Sequence, residues 1–266
     1  MSLKFPDHSK YLTFAEKLAN FSRSILISQS MNIPKITIKN DESYVTETDR
    51  AIERRLRDEI RRKFPDHGII GEEFPDINSE AEFVWILDPI DGTAAFVAGI
   101  PVYGTLIALA WKGMPFIGVI DHPLTDDRWV GVSNRNAFKN GSPITTRSCV
   151  DITEAYVTCS NPDFMSKNQL QKFKRLRDSV SYVQYGASCF AYGTLASGRS
   201  DFAIDAGLEA FDMYACAAVI QGAGGVVTNW TGDNLTFNMD GTVIAAGDKT
   251  QLKPVLDLLN AVSETT

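Results

Sequence analysis

The chain has 266 residues, 44% of them hydrophobic and 22% charged, enough for one large core or two smaller ones. A formal net charge of -7 speaks against a nucleic-acid polymer or a lipid surface as partner, because both select a basic patch. No apolar run reaches the length of a membrane span and the first residues hold no apolar signal core, so the expectation is a cytoplasmic protein without membrane contact.

The first predicted element is an amphipathic helix over residues 9–30, with Tyr11, Phe14, Ala15, Leu18 and Ala19 at helical spacing. A short strand at 36–38 leads into a polar loop from Lys39 to Val45. Thr46 or Thr48 can cap the next helix, from Asp49 to about Lys63, whose apolar stripe is Ile52, Leu56, Ile60 and Phe64. Its alternating basic and acidic residues read as a solvated face. Strands follow at 83–87, 103–111 and 115–121, with turns at Gly113 and Asn140-Gly141. These make residues 1–150 a part in which helices pack on an antiparallel sheet. From 151 to 266 strands and helices alternate, which suggests an α/β part. Strands are predicted at 155–159, 182–185, 201–204, 225–228 and 242–246, and helices at 166–177, 188–197, 212–223 and 249–262. The four cysteines show no CxxC or zinc-like spacing, and Cys189 and Cys216 read as buried thiols. His8, His67 and His122 form no base cluster; His67 reads as a surface turn residue and His122 as structural.

Chemistry concentrates at Trp85-Ile-Leu-Asp-Pro-Ile-Asp-Gly-Thr93. An apolar strand ends on Asp88 and Asp91, with Pro89 and Gly92 expected to stop it and turn the chain. Two carboxylates held this close repel unless a cation or proton lies between them, and hard oxygen ligands suit Mg²⁺ or Mn²⁺. Gly71-Glu72-Glu73 adds carboxylates after another short apolar run. The amides of Gly92, Thr93 and Ala94, at the start of a helix, can face a phosphate. The residues alone leave open that Asp91 caps this helix while Asp88 ends a strand. They also leave open that Asp212 is the N-cap of a later one.

Gly71-Glu-Glu73, the stretch from Trp85 to Thr93, Phe211-Asp212 and Gly222-Ala-Gly-Gly225 follow one another in the order seen in the inositol monophosphatase family, which this chain resembles from Lys39 to Gly225. The resemblance implies an α/β fold of alternating αβαβα layers, a homodimer, and a Mg²⁺-dependent, lithium-sensitive phosphomonoesterase with two or three metals per site. By the same resemblance Glu72, Asp88, Thr93 and the carbonyl of Ile90 hold one metal. Asp88 bridges to a second, held also by Asp91 and Asp212, and Glu72 reaches a third through water. Thr93 and Asp49 help activate the attacking water, Lys39 is a nearby positive charge, and Asp205, Ala187 and Ser188 line the substrate pocket.

Asp205-Ala-Gly-Leu-Glu-Ala-Phe-Asp212 and Tyr103-Gly-Thr-Leu-Ile107 resemble the histidinol-phosphatase branch. The expected substrate is therefore histidinol phosphate, its ammonium group meeting Asp205. The alternative is an inositol monophosphate, or a range of sugar or nucleotide phosphates. Ala94 departs from that branch, where a basic residue is usual.

Overall fold

The computed structural model describes residues 6–261 apart from 31, 33 and 39–43. Helix α1 (Ser9–Gln29) buries Tyr11, Phe14, Ala15, Leu18, Ala19, Ser22 and Leu26 along one stripe, as its periodicity requires. Strands β1 (Ile36–Ile38) and β2 (Tyr44–Thr46) pair antiparallel. The predicted loop is thus partly strand, because the β-branched Val45 and Thr46 are buried. Helix α2 (Glu47–Lys63) starts on a capping box. The Thr46 hydroxyl accepts from the Thr48 amide at 3.1 Å, and the Asp49 carboxylate accepts the Thr46 N–H at 2.8 Å.

Seven strands then form one sheet in chain order. They are β3 (Gly68–Gly71), β4 (Phe83–Asp91), β5 (Gly104–Trp111), β6 (Met114–His122), β7 (Asp127–Val132), β8 (Asn136–Lys139) and β9 (Ser142–Ile144), with helix α3 (Thr93–Ala98) between β4 and β5. All neighbours are antiparallel except β3 and β4. Lys112-Gly113 (φ 52° and 75°) and Asn140-Gly141 (φ 49° and 78°) make the two-residue turns whose left-handed backbone matches strand twist.

A five-stranded sheet follows, in the order β11-β10-β12-β14-β13. Its elements are β10 (Tyr156–Cys159), α4 (Lys167–Arg177), β11 (Tyr182–Tyr185), α5 (Ser188–Ala196), β12 (Phe202–Asp205), α6 (Ala210–Gly222), β13 (Val226–Thr228), β14 (Val243–Ala246) and α7 (Leu252–Asn260). Strands β10, β11 and β12 run parallel, while β14 pairs antiparallel with β12 and β13.

Side-chain alternation along the strands sorts these elements into five layers. Trp85, Leu87, Ile107 and Leu109 point to one face of the large sheet, against α1 and α2. Val84, Ile86, Leu106 and Ala108 point to the other face, against α5 and α6. The far side of those helices meets Ala203, Val243 and Ala245 of the small sheet. Phe202, Ile204, Ile244 and Ala246 face the opposite way, onto α4 and α7. The αβαβα order is the expected one.

Helix α6 is buried on nearly every side, which explains why its residues are apolar all round. It lies directly on sheet backbone: a Cβ added at Gly118 would fall 2.1 Å from the Ala215 carbonyl oxygen, and one at Gly131 2.4 Å from the Val219 Cα. Both obstacles are backbone and cannot swing aside. Gly131→Ala is expected to cost about 1–3 kcal/mol of unfolding free energy, the usual range for overpacking. Urea unfolding of the two proteins side by side measures it, and an unchanged midpoint contradicts the close approach of α6.

Candidate metal centre

Residues i and i+3 of a regular strand point to opposite faces. Asp88 and Asp91 escape this because β4 does not stop at Pro89, as the proline suggested, but continues to Asp91 through a bulge. Asp88 pairs with Leu106 and Asp91 with Gly104, so Pro89 and Ile90 together oppose the single residue Thr105. The extra residue restores the register, and both carboxylates emerge on one side. The Thr105 hydroxyl donates to the Pro89 carbonyl at 2.8 Å and holds the bulge from beneath, itself hydrogen-bonded to the Ser22 hydroxyl of α1.

Asp212 arrives from the other half of the chain. Helix α6 begins at Ala210, so Asp212 is its third residue rather than its N-cap, and it accepts the Glu209 N–H at 2.7 Å. Carboxylate oxygens of Asp88, Asp91 and Asp212 lie within 4.8 Å of one another. Burial pushes the Asp88 carboxyl well above its ordinary pKa, and the charges of Glu72, Asp91, Asp212 and Asp49 push it further. Burial and then Asp91 do the same to Asp212. Asp91 is raised by burial, with its hydrogen bond from the Cys189 N–H at 2.7 Å working against the shift. Asp88 is only 2% exposed, and among the described residues its Oδ1 has no hydrogen-bond partner. An orphaned buried oxygen among repelling carboxylates fits a hard divalent cation, which takes oxygen ligands and offsets their charge. Asp88, Asp91 and Asp212 would hold it, with Glu72 beside them.

Asp49 is fully buried, and burial raises its pKa. Its Oδ1 lies 3.4 Å from the Thr93 hydroxyl, which also donates to the Ile90 carbonyl at 2.9 Å. Gly92 is left-handed (φ 79°), and the six-residue α3 starts right after it, with Thr93 and Ala94 in its first turn. Ala187 and Ser188 also have positive φ, 84° and 46°, a costly backbone for non-glycine residues that marks functional turns. This turn abuts the metal loop: a Cβ on Gly92 would come 2.8 Å from the Ser188 hydroxyl. Lys39 lies outside the described residues.

One sequence expectation changes and two gain detail. Asp205 does not present its carboxylate to a pocket. It is 3% exposed and accepts hydrogen bonds from the Ser160 N–H (2.6 Å), the Ser160 hydroxyl (3.2 Å) and the Tyr192 hydroxyl (2.6 Å). Burial raises its pKa to about 6, and these donors oppose the rise. His67 does end a turn, its N–H donating to the Phe64 carbonyl at 3.1 Å, but it is half-buried: its Nδ1 accepts the Trp85 indole N–H at 3.1 Å, and its ring stacks on Phe64 and Phe83. Burial lowers its pKa to about 4. His122 is structural in a specific way. Its Nδ1 lies 2.8 Å from the Tyr103 carbonyl, which can only accept, so Nδ1 carries the proton. Its Nε2 is then the acceptor for the Cys189 thiol at 3.2 Å, and burial holds its pKa down to about 4.

A cavity of about 250 Å³ opens beside the chain segments that carry Glu72 and Asp212, though neither of these residues lines it. Gly71 and Phe211, the chain neighbours of Glu72 and Asp212, line it, and Asp76, Glu80 and Glu209 make its lining acidic. Sequence reading missed this cavity, as it missed Thr105 and Tyr192. Only the pairing of distant segments reveals them.

The profile of the Inositol monophosphatase family matches residues 7–264. The chain is 38% identical over 248 residues to the bifunctional phosphatase IMPL2, chloroplastic, of Arabidopsis thaliana, covering 90% of this chain and 72% of that one. It is 31% identical over 241 residues to the histidinol-phosphatase of Chlorobaculum parvum, covering 90% and 92%. The solved structure of an inositol monophosphatase from Zymomonas mobilis superposes with a TM-score of 0.87 at 34% identity, over 96% of this chain and 99% of that one.

The raised carboxyl pKa values fix the sign of a pH effect. A carboxyl whose pKa is higher in the folded chain favours folding when protonated, and its contribution is lost as pH rises through the raised value. The metal-free chain should therefore lose this part of its stability as pH rises from the ordinary carboxylate range through the raised values, and the rise in melting midpoint on adding Mg²⁺ should be larger at the higher of two pH values. Asp88→Asn should abolish most of that rise without unfolding the chain. Thermal melts with Mg²⁺ and with a chelator, at both pH values, measure this; identical midpoints throughout would mean that the cluster holds no cation.

Proposed function

The chain belongs to the inositol monophosphatase family of phosphomonoesterases, and we propose that it is a Mg²⁺-dependent phosphatase whose preferred substrate is histidinol phosphate, released as histidinol and phosphate. The observation that carries the reading is the convergence of Asp88, Asp91 and Asp212 within 4.8 Å, with a buried Asp88 oxygen that has no hydrogen-bond partner among the described residues. An all-oxygen donor set favours Mg²⁺, with Mn²⁺ able to substitute. A cation bound there neutralises phosphoryl oxygens and makes a bound water more acidic.

The chain's own groups do the rest. The amides at Gly92, Thr93 and Ala94 receive phosphate oxygens at the start of α3. Thr93 and Asp49 stand in hydrogen-bond reach of each other, so a proton leaving the attacking water passes to the Thr93 oxygen while Thr93 hands its own to Asp49. The raised pKa of Asp49 suits it to take that proton. Orienting and neutralising the phosphoryl group is most of the work, and no covalent intermediate on the protein is required. Asp205 acts indirectly: through Tyr192 it braces α5, behind the turn of Ala187 and Ser188 that faces the substrate, and through Ser160 it ties that helix to the end of β10.

Two features support histidinol phosphate over a neutral polyol. One is the histidinol-phosphatase relative that matches 90% of this chain. The other is the acidic cavity lined by Gly71 and Phe211, the chain neighbours of Glu72 and Asp212, where Asp76, Glu80 and Glu209 favour a substrate carrying an ammonium or imidazolium group. Ala94 favours the second reading, an inositol monophosphate, because it leaves no basic side chain at that position of the phosphate turn. Assembly as a homodimer belongs to the same proposal, and sedimentation showing only a 29.3 kDa species rejects it.

Hydrolysis of histidinol phosphate and of inositol 1-phosphate, measured side by side with Mg²⁺, tests the substrate. The expected result is a higher kcat/KM for histidinol phosphate. Glu209→Gln should raise KM for that substrate alone, by roughly the 1.5–3 kcal/mol typical of a charged hydrogen bond. Equal or better hydrolysis of inositol 1-phosphate rejects the assignment. Thr93→Ala or Asp49→Asn should lower kcat by about 10²–10⁴-fold, the usual weight of a proton-transfer group.

A further inference from the structure

Helix α2 carries Asp49, Glu53 and Arg57 at i, i+4 and i+8, and all three are buried, at 0%, 0% and 6% exposure. Charged groups sit this deep only when paired. Asp49 is accounted for by Thr46 and Thr93. Glu53 and Arg57 pair with each other, Nε to Oε1 at 2.7 Å.

The remaining hydrogen bonds of this pair all go to one stretch of backbone. Glu53 Oε2 accepts the Glu73 N–H at 2.8 Å. Arg57 donates to the Phe74 carbonyl at 2.7 Å and to the Pro75 carbonyl at 2.9 Å, with its guanidinium over the Phe74 ring. On the other side, the backbone at Gly71 is pressed against the pair: a Cβ there would lie 2.3 Å from Glu53 Oε1 and 2.8 Å from an Arg57 nitrogen. The residue held between these two anchor points is Glu72.

Glu72 needs an anchor, since its charge and those of Asp88 and Asp212 repel one another. In the metal-free protein that repulsion would push Glu72 outward, against its own amide bond to the Leu87 carbonyl (3.3 Å) and against whatever holds residues 73–75. A buried ion pair is a poor device for stability alone, because desolvation offsets its attraction. It is a good device for fixing a loop, since a guanidinium fork spans two carbonyls in one geometry.

We propose that Glu53 and Arg57 are positioning residues that hold the Glu72 loop against carboxylate repulsion and so preset the metal centre; this rests on the metal-centre reading above. The same helix face carries Asp49 to Thr93, so α2 aligns both edges of the site.

The test is Mn²⁺ binding to the full chain, followed by electron paramagnetic resonance, with hydrogen exchange at the Glu73 amide in the metal-free protein as a second readout. The double variant Glu53→Gln, Arg57→Met keeps side-chain volume and leaves no buried charge unpaired. Arg57→Lys keeps the charge but loses the fork, and it serves if the double variant does not fold. The double variant should bind Mn²⁺ about 10–100-fold more weakly, as loss of an outer partner of a metal ligand does elsewhere. Arg57→Lys should fall between it and the wild type, and the Glu73 amide should exchange faster in both. Ile60→Val, a core change on the same helix, should lower the melting midpoint and leave Mn²⁺ affinity alone. Unchanged affinity in the double variant, or in Arg57→Lys should the double variant not fold, with a wild type that binds Mn²⁺, overturns the clamp and leaves the metal centre standing. A wild type that does not bind Mn²⁺ overturns the metal centre, and the clamp with it.

Discussion

Electrostatic repulsion among carboxylates is the constraint around which this molecule is organised. Asp88, Asp91 and Asp212 are brought within 4.8 Å of one another, and Glu72 adds a fourth charge. A chain gains nothing from such a cluster by itself, because burial and like charge both raise the cost of ionisation. Each carboxylate is therefore held by an arrangement specific to it. Asp88 and Asp91 share the β4 bulge, keyed by Thr105. Asp212 is tied into the first turn of α6. Glu72 hangs on backbone secured by Glu53 and Arg57.

The layered fold makes this possible by putting rigid elements on every side. Helix α6 runs between the two sheets and touches sheet backbone at Gly118 and Gly131, so its N-terminal turn, with Asp212, has little freedom to retreat. Helix α5 enters beside it through a strained left-handed turn. Hydrogen bonds run from the Tyr103 carbonyl through His122 to the Cys189 thiol, and the Cys189 amide reaches Asp91. Burial keeps His122 neutral and the thiol protonated, so that each donor in this chain of bonds meets an acceptor. The second half of the sequence thus braces a ligand that the first half supplies.

Asp205 follows a separate physical logic. Asp205 stands where a charged contact with substrate was expected, yet its oxygens are taken up by Ser160 and Tyr192. A carboxylate enclosed in this way stiffens its surroundings. Asp76, Glu80 and Glu209 instead keep their charges exposed around a cavity, contributed by loops rather than by the strand that carries Asp205.

What the sequence determined by itself was whatever depends on near neighbours along the chain. Apolar periodicity located α1 and α2, Thr46 announced the start of α2, and Asn140-Gly141 announced a hairpin. The resemblance to a known family supplied the expected metal ligands as a set. Tertiary structure alone decided how they meet. Pro89 argued for the end of a strand, but hydrogen bonds from a neighbouring strand carried β4 onward through a bulge. The Glu53–Arg57 pair read as part of a solvated charged face, because nothing local says that residues 73–75 will cover it. His67 read as a turn residue, which it is, but its stacking on Phe83 and its bond to the Trp85 indole depend on strand β4. Cys189 and Asp91 are 98 positions apart, and their hydrogen bond exists only because two sheets enclose a shared helical layer. Local propensity acts over a few residues, whereas burial and pairing are set by segments that meet only when the chain folds.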